Sequence, residues 1–248
     1  MMRVFFALAG FHARQLLRVP FFMQTALLAP VSFLLLRGLG AMNVGAPLAP
    51  LTWLDASTAG IWATTTTAAG LIMYQRFQGT LESHVLSVHR PGVVFGALTA
   101  SAALIGMVGI PFAMLIQFVI SHELELTIES TIGVLVALIA CIGSAALLSS
   151  LFVVNPSASA LEPLILVPVW MLIGIVVPFA ELPGWLAPVA LVHPLTSAVL
   201  AGHAESVSAA VAWGGLSVAV SCVWVVLAGV GLRAAITRAR VNGTLAVS

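Results

Sequence analysis

The side chains able to do chemistry in this sequence are few: six His, eight carboxylates, two Cys and nine Arg among 248 residues, with no Lys. They are also scattered. His84, His89, His193 and His203 have no nucleophile-and-base company, and His12 has no second metal ligand near it in sequence. There is no HExxH, no GxSxG and no complete dinucleotide fingerprint, and without Lys no P-loop can reach the β/γ-phosphates of ATP. The chain is therefore expected to hold no catalytic residue, cofactor or metal of its own. Cys141 and Cys222 lie in apolar runs without CxxC spacing and read as small buried hydrophobes. The acidic loop 121–129 reads as a solvated cap on a hairpin, with cation contact at His122, Glu123 and Glu125 as the alternative.

What must position these residues is a bundle of membrane helices. With 61% hydrophobic residues, 7% charged residues and a mean hydropathy of +1.15, the apolar share far exceeds that of a soluble domain. A net charge of +1 offers no polyanion-binding surface, so nucleic acid is not an expected partner. About 20 apolar residues cross the hydrocarbon layer as a helix. Six runs qualify, over 20–40, 53–73, 93–120, 132–154, 164–178 and 209–232, and the first is read as a retained span rather than a cleaved signal. With the N-terminus cytoplasmic, eight Arg fall inside and only Arg37 falls outside, which satisfies the positive-inside rule. A seventh crossing over 182–200 would carry the Arg-rich tail outside. That Pro-broken stretch is instead expected to be a re-entrant or interfacial hairpin, since broken helices need protein or water over their free backbone groups.

The expected architecture is thus all-α: an interfacial segment 1–19, a six-helix membrane domain 20–232 and a cytoplasmic tail 233–248. In the first segment Phe5, Leu8, Phe11 and Leu16 offer apolar surface beside Arg3, Arg14, Arg18 and His12. It forms either an in-plane amphipathic helix or a continuation of the first span. Arg37 and Asp55 stand near the outer ends of spans one and two, where they can form an ion pair, touch substrate or snorkel separately. Thr64, Thr65, Thr66 and Thr67 are the most polar patch at mid-span. Their hydroxyls can bond back to carbonyls one turn earlier within a packed helix, or line a path. No Asp, Glu, Lys or Arg lies at mid-membrane, which leaves a proton-driven carrier little to work with.

Two connections carry more pattern than a plain linker needs. In the loop 74–91, Leu81, Val85 and Val88 recur at helical spacing, Thr80 can cap the turn and Pro91 can stop it. This loop, Arg76-Phe77-Gln78-Gly79-Thr80-Leu81-Glu82 followed by Val85-Leu86 and Arg90-Pro91, resembles the equivalent cytoplasmic segment of ABC-2 type transporter permeases. So does the outer segment Pro178-Phe179-Ala180-Glu181-Leu182-Pro183-Gly184-Trp185-Leu186 with His193-Pro194-Leu195-Thr196, where His193 stands for the family's usual Asn.

The resemblance covers nearly the whole chain and implies the membrane subunit of an ABC exporter in the cytoplasmic membrane. It implies a coupling helix formed by Gly79, Thr80, Leu81, Glu82, Val85 and Leu86, and an outer gate within 179–200 that uses Pro178, Leu182, Pro183, Trp185, His193 and Pro194. It further implies separate ATPase subunits that bind ATP-Mg, and a second permease copy or paralogue. The apolar spans point to an amphiphilic, drug-like or lipid-linked cargo, because an ion would need replacement of its hydration. A non-transporting membrane scaffold and a secondary carrier are the competing expectations.

Overall fold

In a computed structural model the chain is described over residues 2–77, 91–154 and 162–242, and every regular element there is helical. The coupling segment expected at Gly79, Thr80, Leu81, Glu82, Val85 and Leu86 lies outside the described residues. Helix α1 spans Met2–Leu17 and α2 spans Pro20–Asn43, with Pro20 at the first helical position, where its missing N–H costs nothing. The two are separate helices, so α1 is not a continuation of the first span. The face of α1 that carries Ala9, His12 and Leu16 is buried, and α1 lies mainly against α4. His12, expected at an interface, is only 4% exposed.

Helix α3 spans Thr52–Phe77, and the third expected span divides into α4 (Pro91–Gly106) and α5 (Gly109–Ser121). Pro111 accounts for the break. It has no N–H to donate and its ring crowds the carbonyl of residue 107, where regular helix gives way to a turn. Helix α6 spans Ile128–Val154 and begins on a reciprocal cap: Thr127 N–H donates to Ser130 Oγ and Ser130 N–H to Thr127 Oγ1, both at 3.0 Å.

The fifth expected span, 164–178, needs correction. Helix α7 spans Glu162–Leu172 and contains Pro168, after which Gly174 takes a left-handed φ of +96° that L side chains rarely adopt. At 1.5 Å per residue, these 11 residues cover about 16 Å, roughly half of a bilayer's hydrocarbon core. A single 3-10 turn at Phe179–Glu181 leads to α8 (Ala187–Val192), α9 (Pro194–Gly202) and α10 (Val207–Asn242). Helix α10 therefore continues well into the expected tail.

Four of these helical stretches are long and apolar enough to cross a membrane: Pro20–Asn43, Gly92–Ser121, Ile128–Phe152 and Val207–Ala234. The chain is an all-α, multi-pass membrane protein. Helix α3 has the length as well, but Asp55 and its hydroxyl-bearing residues make it more polar. It is the central post, touching α2, α4, α5, α6, α7 and α9, and it carries the buried Trp53 and Trp62. Large apolar side chains such as Leu36 on α2 and Val226 on α10 remain exposed on the outside, a surface suited to lipid.

Because lipid tails are as apolar as Leu, such helices are held by close fit and internal hydrogen bonds rather than by escape from water. Glycine sets the closest approaches. A Cβ on Gly106 would come within 2.7 Å of Ile61 Cα, and one on Gly133 within 2.5 Å of Gly202 Cα. The glycines of the last helix divide: Gly214 and Gly231 abut Val136 and Ser150, whereas Gly215 and Gly229 have nothing within 4 Å of an added Cβ. Gly133→Leu is expected to lower the thermal midpoint of the detergent-solubilised protein. Overpacking of this kind costs about 1–3 kcal/mol, and each kcal/mol shifts Tm by about 2–4 °C at this size. Gly215→Leu should leave the midpoint unchanged, and equal shifts in both variants would refute the close crossing.

Candidate functional site

The polar side chains cluster toward the end of the bundle that carries the connections 44–51, 122–127 and 203–206, called here the distal end. Asp55, in the first turn of α3, is 8% exposed, and its Oδ1 lies 2.7 Å from His203 Nε2 in the turn after α9. The partner expected for this carboxylate was Arg37. Arg37 Nη1 instead donates to the Val176 carbonyl at 3.4 Å, in the irregular stretch behind α7. Both interactions fasten the 173–206 region to the bundle, one through α3 and the other through α2. At His203, burial works against the charged ring, but the Asp55 carboxylate, as hydrogen-bond acceptor and countercharge, outweighs it and holds the imidazole above its ordinary value.

Two further bonds close this end. Trp53 Nε1 donates to the Glu125 carbonyl at 2.9 Å, tying α3 to the acidic loop. Gln117, fully buried on α5, donates through Nε2 to the Ala49 carbonyl at 3.1 Å and to Ser121 Oγ at 3.2 Å. In the acidic loop the backbone turns at His122 with φ +57°, and Ser121 Oγ accepts from the Glu123 N–H at 3.2 Å. Such bonding suits a hairpin cap. Gln117 escaped the sequence reading because it stands alone in an apolar run; its type, a buried amide that needs partners, was the available signal.

A second cluster sits deeper. His193 ends α8 and caps α9, its Nδ1 accepting from the Leu195 N–H at 3.3 Å. Here the imidazole fills the capping role that an Asn side chain commonly plays. The imidazole is held edge-to-face between Trp62 and Trp224, with ring centroids 5.2 and 5.0 Å away. Trp224 Nε1 donates to the Val192 carbonyl at 3.1 Å, and Ser217 Oγ donates to the Pro194 carbonyl at 2.7 Å. Thr196 Oγ1 reaches back to the Ala190 carbonyl at 2.6 Å. Trp62 is ten residues into α3, so this contact lies about 15 Å along the helix from Thr52. The chain thus descends to His193 and returns along α9 to His203 at the distal end.

Of the expected gate residues, His193 and Pro194 are brought together in the interior, Leu182 is half-buried, and Pro178, Pro183 and Trp185 are exposed. Pro178 and Leu182 flank the 3-10 turn, and the Pro183 carbonyl accepts from the Leu186 N–H at 2.7 Å. The threonine cluster, buried at Thr64, Thr65 and Thr66 and half-buried at Thr67, bonds back to its own helix: Thr64 to the Gly60 carbonyl, Thr65 to Ile61, Thr66 to Trp62 and Ala63, and Thr67 to Ala63. These hydroxyls belong to helix packing. Cys141 is buried beside α3, whereas Cys222 is exposed, contrary to its expected burial.

Neither family models, curated proteins nor solved structures yield a match to this chain. The Asp55–His203 contact makes a testable link between pH and stability. His203 is raised above its usual value, so the stability it contributes is present below about pH 6.5 for as long as Asp55 stays ionised, and is lost as pH rises through the folded-state value. His203→Gln should lower the thermal midpoint at acidic pH by an amount equivalent to about 1 kcal/mol, given the half-exposed ring, and the difference should shrink in alkali. A pH-independent difference between the two proteins would exclude the charged pair.

Proposed function

We propose that this chain is the permease subunit of an ATP-driven exporter of the ABC-2 type, moving an amphiphilic, drug-like or lipid-linked cargo across the cytoplasmic membrane. The observation that carries the reading is the descent of 179–202 into the bundle, with its turn at His193 wedged between Trp62 and Trp224. A Pro-broken segment can lie at membrane depth only where protein covers its backbone, and α9 is buried over nearly its whole length. The motif that forms this turn, His193-Pro194-Leu195-Thr196, is one of those that carry the family resemblance.

In this reading six crossings are made by α2, α3, α4 with α5, α6, α7 with the stretch behind it, and α10, with α1 at the inner surface. Both termini are cytoplasmic, and the distal end faces outward. Hydrolysis belongs to separate ATPase subunits, which receive the segment 79–86. Two permease chains, identical or paralogous, flank the path. Motion of the coupling segment rocks α3 and α4, which it joins, and the strain reaches the His193 turn through Trp62 and the Asp55–His203 contact. Rigid-body rocking of packed helices needs no charged residue along the path. The low polarity of the interior suits a cargo with a large apolar part.

The reading is tested by purification with the neighbouring ATPase and reconstitution into vesicles. Cargo movement should require ATP hydrolysis, and Leu81→Asp should reduce it by at least about tenfold, a loss of roughly 1.4 kcal/mol in coupling, while ATPase activity persists. Transport at full rate without any nucleotide-hydrolysing subunit would overturn it. Independently, a cysteine placed at Ser206, in the turn between α9 and α10, should react with an impermeant maleimide added to intact cells. Labelling only after the inner face is opened would reverse the proposed orientation.

A further inference from the structure

Helix α1 packs along α4, the half of the third span remote from the distal end. Phe5 Cε2 stands 3.5 Å from the position of an added Cβ on Gly96, and Leu16 clusters with Ala102 and Ile105. That packing uses the face with Ala9, His12 and Leu16 and leaves the opposite face uncovered. Arg3 and Arg14 are eleven residues apart on α1, which places them within about 20° of each other around the helix. Arg18 follows one turn after Arg14, just past the helix end, and all three are exposed.

This stripe has no countercharge. Among the described residues none of the three guanidiniums has an ion-pair or hydrogen-bond partner. No carboxylate precedes Asp55 in the sequence, and Asp55 lies at the distal end, engaged with His203. Phe6 and Phe11, 66% and 54% exposed, border the stripe on its two sides, each about 60° from the nearer arginine. Hydrocarbon alone would strand the charges, and water alone would strand the rings. Both are met at the boundary between headgroups and acyl chains, where rings enter the apolar layer and guanidiniums reach phosphate oxygens.

We propose that this face of α1 is a docking surface for anionic phospholipid: Arg3, Arg14 and Arg18 donate to headgroup phosphate oxygens while Phe6 and Phe11 enter the acyl layer. A guanidinium offers phosphate parallel N–H donors, a geometry that ammonium lacks. In phosphatidylcholine the choline offsets the phosphate, so three uncompensated positive charges select a headgroup that is negative overall. The surface requires only that α1 lie against a bilayer, so it holds or fails apart from the exporter reading.

The test uses the full-length protein in phosphatidylcholine nanodiscs doped with phosphatidylglycerol or phosphatidylcholine, each carrying the same acyl-chain diazirine. After illumination, adducts are mapped on chymotryptic peptides by mass spectrometry. The ratio of phosphatidylglycerol to phosphatidylcholine adducts should be at least about tenfold higher on the α1 peptides than around Leu115, an exposed residue of α5. Each Arg at an anionic surface contributes about fivefold, so Arg14→Gln with Arg18→Gln should lower the α1 ratio more than about tenfold. Arg14→Lys with Arg18→Lys, which keeps the charge, should retain most of it. Raising the salt from about 0.05 M to about 0.5 M should lower the ratio in the unaltered protein, and that arm decides the matter if the Gln pair is not monodisperse. An α1 ratio equal to that at Leu115, or one that neither salt nor the folded Gln pair changes, would overturn the surface. Equal ratios with the three arginines open to a water-soluble dicarbonyl reagent would assign the face to an acidic soluble partner instead.

Discussion

Gly133 on α6 and Gly202 on α9 meet with no side chain between them, and that approach sets α9 directly against α6. Leu54 of α3 presses on Gly202 from another side, so a short helix that could not stand alone is clamped between the two central posts of the bundle. Neither glycine has room for a methyl group. Where hydrophobic escape from water is weak, as between helices in lipid, contact of this closeness supplies the attraction through dispersion and through bonds that shorter distances permit. The Asp55–His203 pair and the Ser217 bond to Pro194 then pin the two ends of the same helix.

The distribution of polarity follows from one economy. Inside the bundle many hydroxyls turn back onto their own helix, as the run Thr64 to Thr67 illustrates, and those residues add no demand for partners, whereas Ser144, Ser149 and Ser197 leave Oγ without one. At the distal end, carbonyls of irregular backbone need donors from elsewhere in the bundle. Arg37, Trp53 and Gln117 each supply one such carbonyl with an N–H. The broken segments and the long polar side chains therefore require each other: unwound backbone presents acceptors, and side chains rooted in the rigid helices fix where that backbone runs.

Much of the helical plan was legible in the residues. Long apolar runs locate α2, α4 with α5, α6 and α10, because chain in lipid must satisfy its backbone within a single helix. The separation of α1 from α2 at Pro20 settles an alternative that the residues alone left open. The end of α7 was not legible. Its apolar run continues beyond Leu172, and hydropathy cannot register the left-handed turn at Gly174.

The candidate site divides in the same way. The sequence by itself determined which residues were unusual for their surroundings, and so pointed to Asp55, Arg37 and the proline-rich stretch, while His193 entered only through a motif resemblance; type and hydropathy are local properties. Only the tertiary structure decided partners: His203 rather than Arg37 for Asp55, and two tryptophans from distant helices around His193. Partners separated by 148 residues, as Asp55 and His203 are, leave no periodicity to read. Their meeting depends on which helices can approach closely, and that is settled by the shapes of both surfaces together.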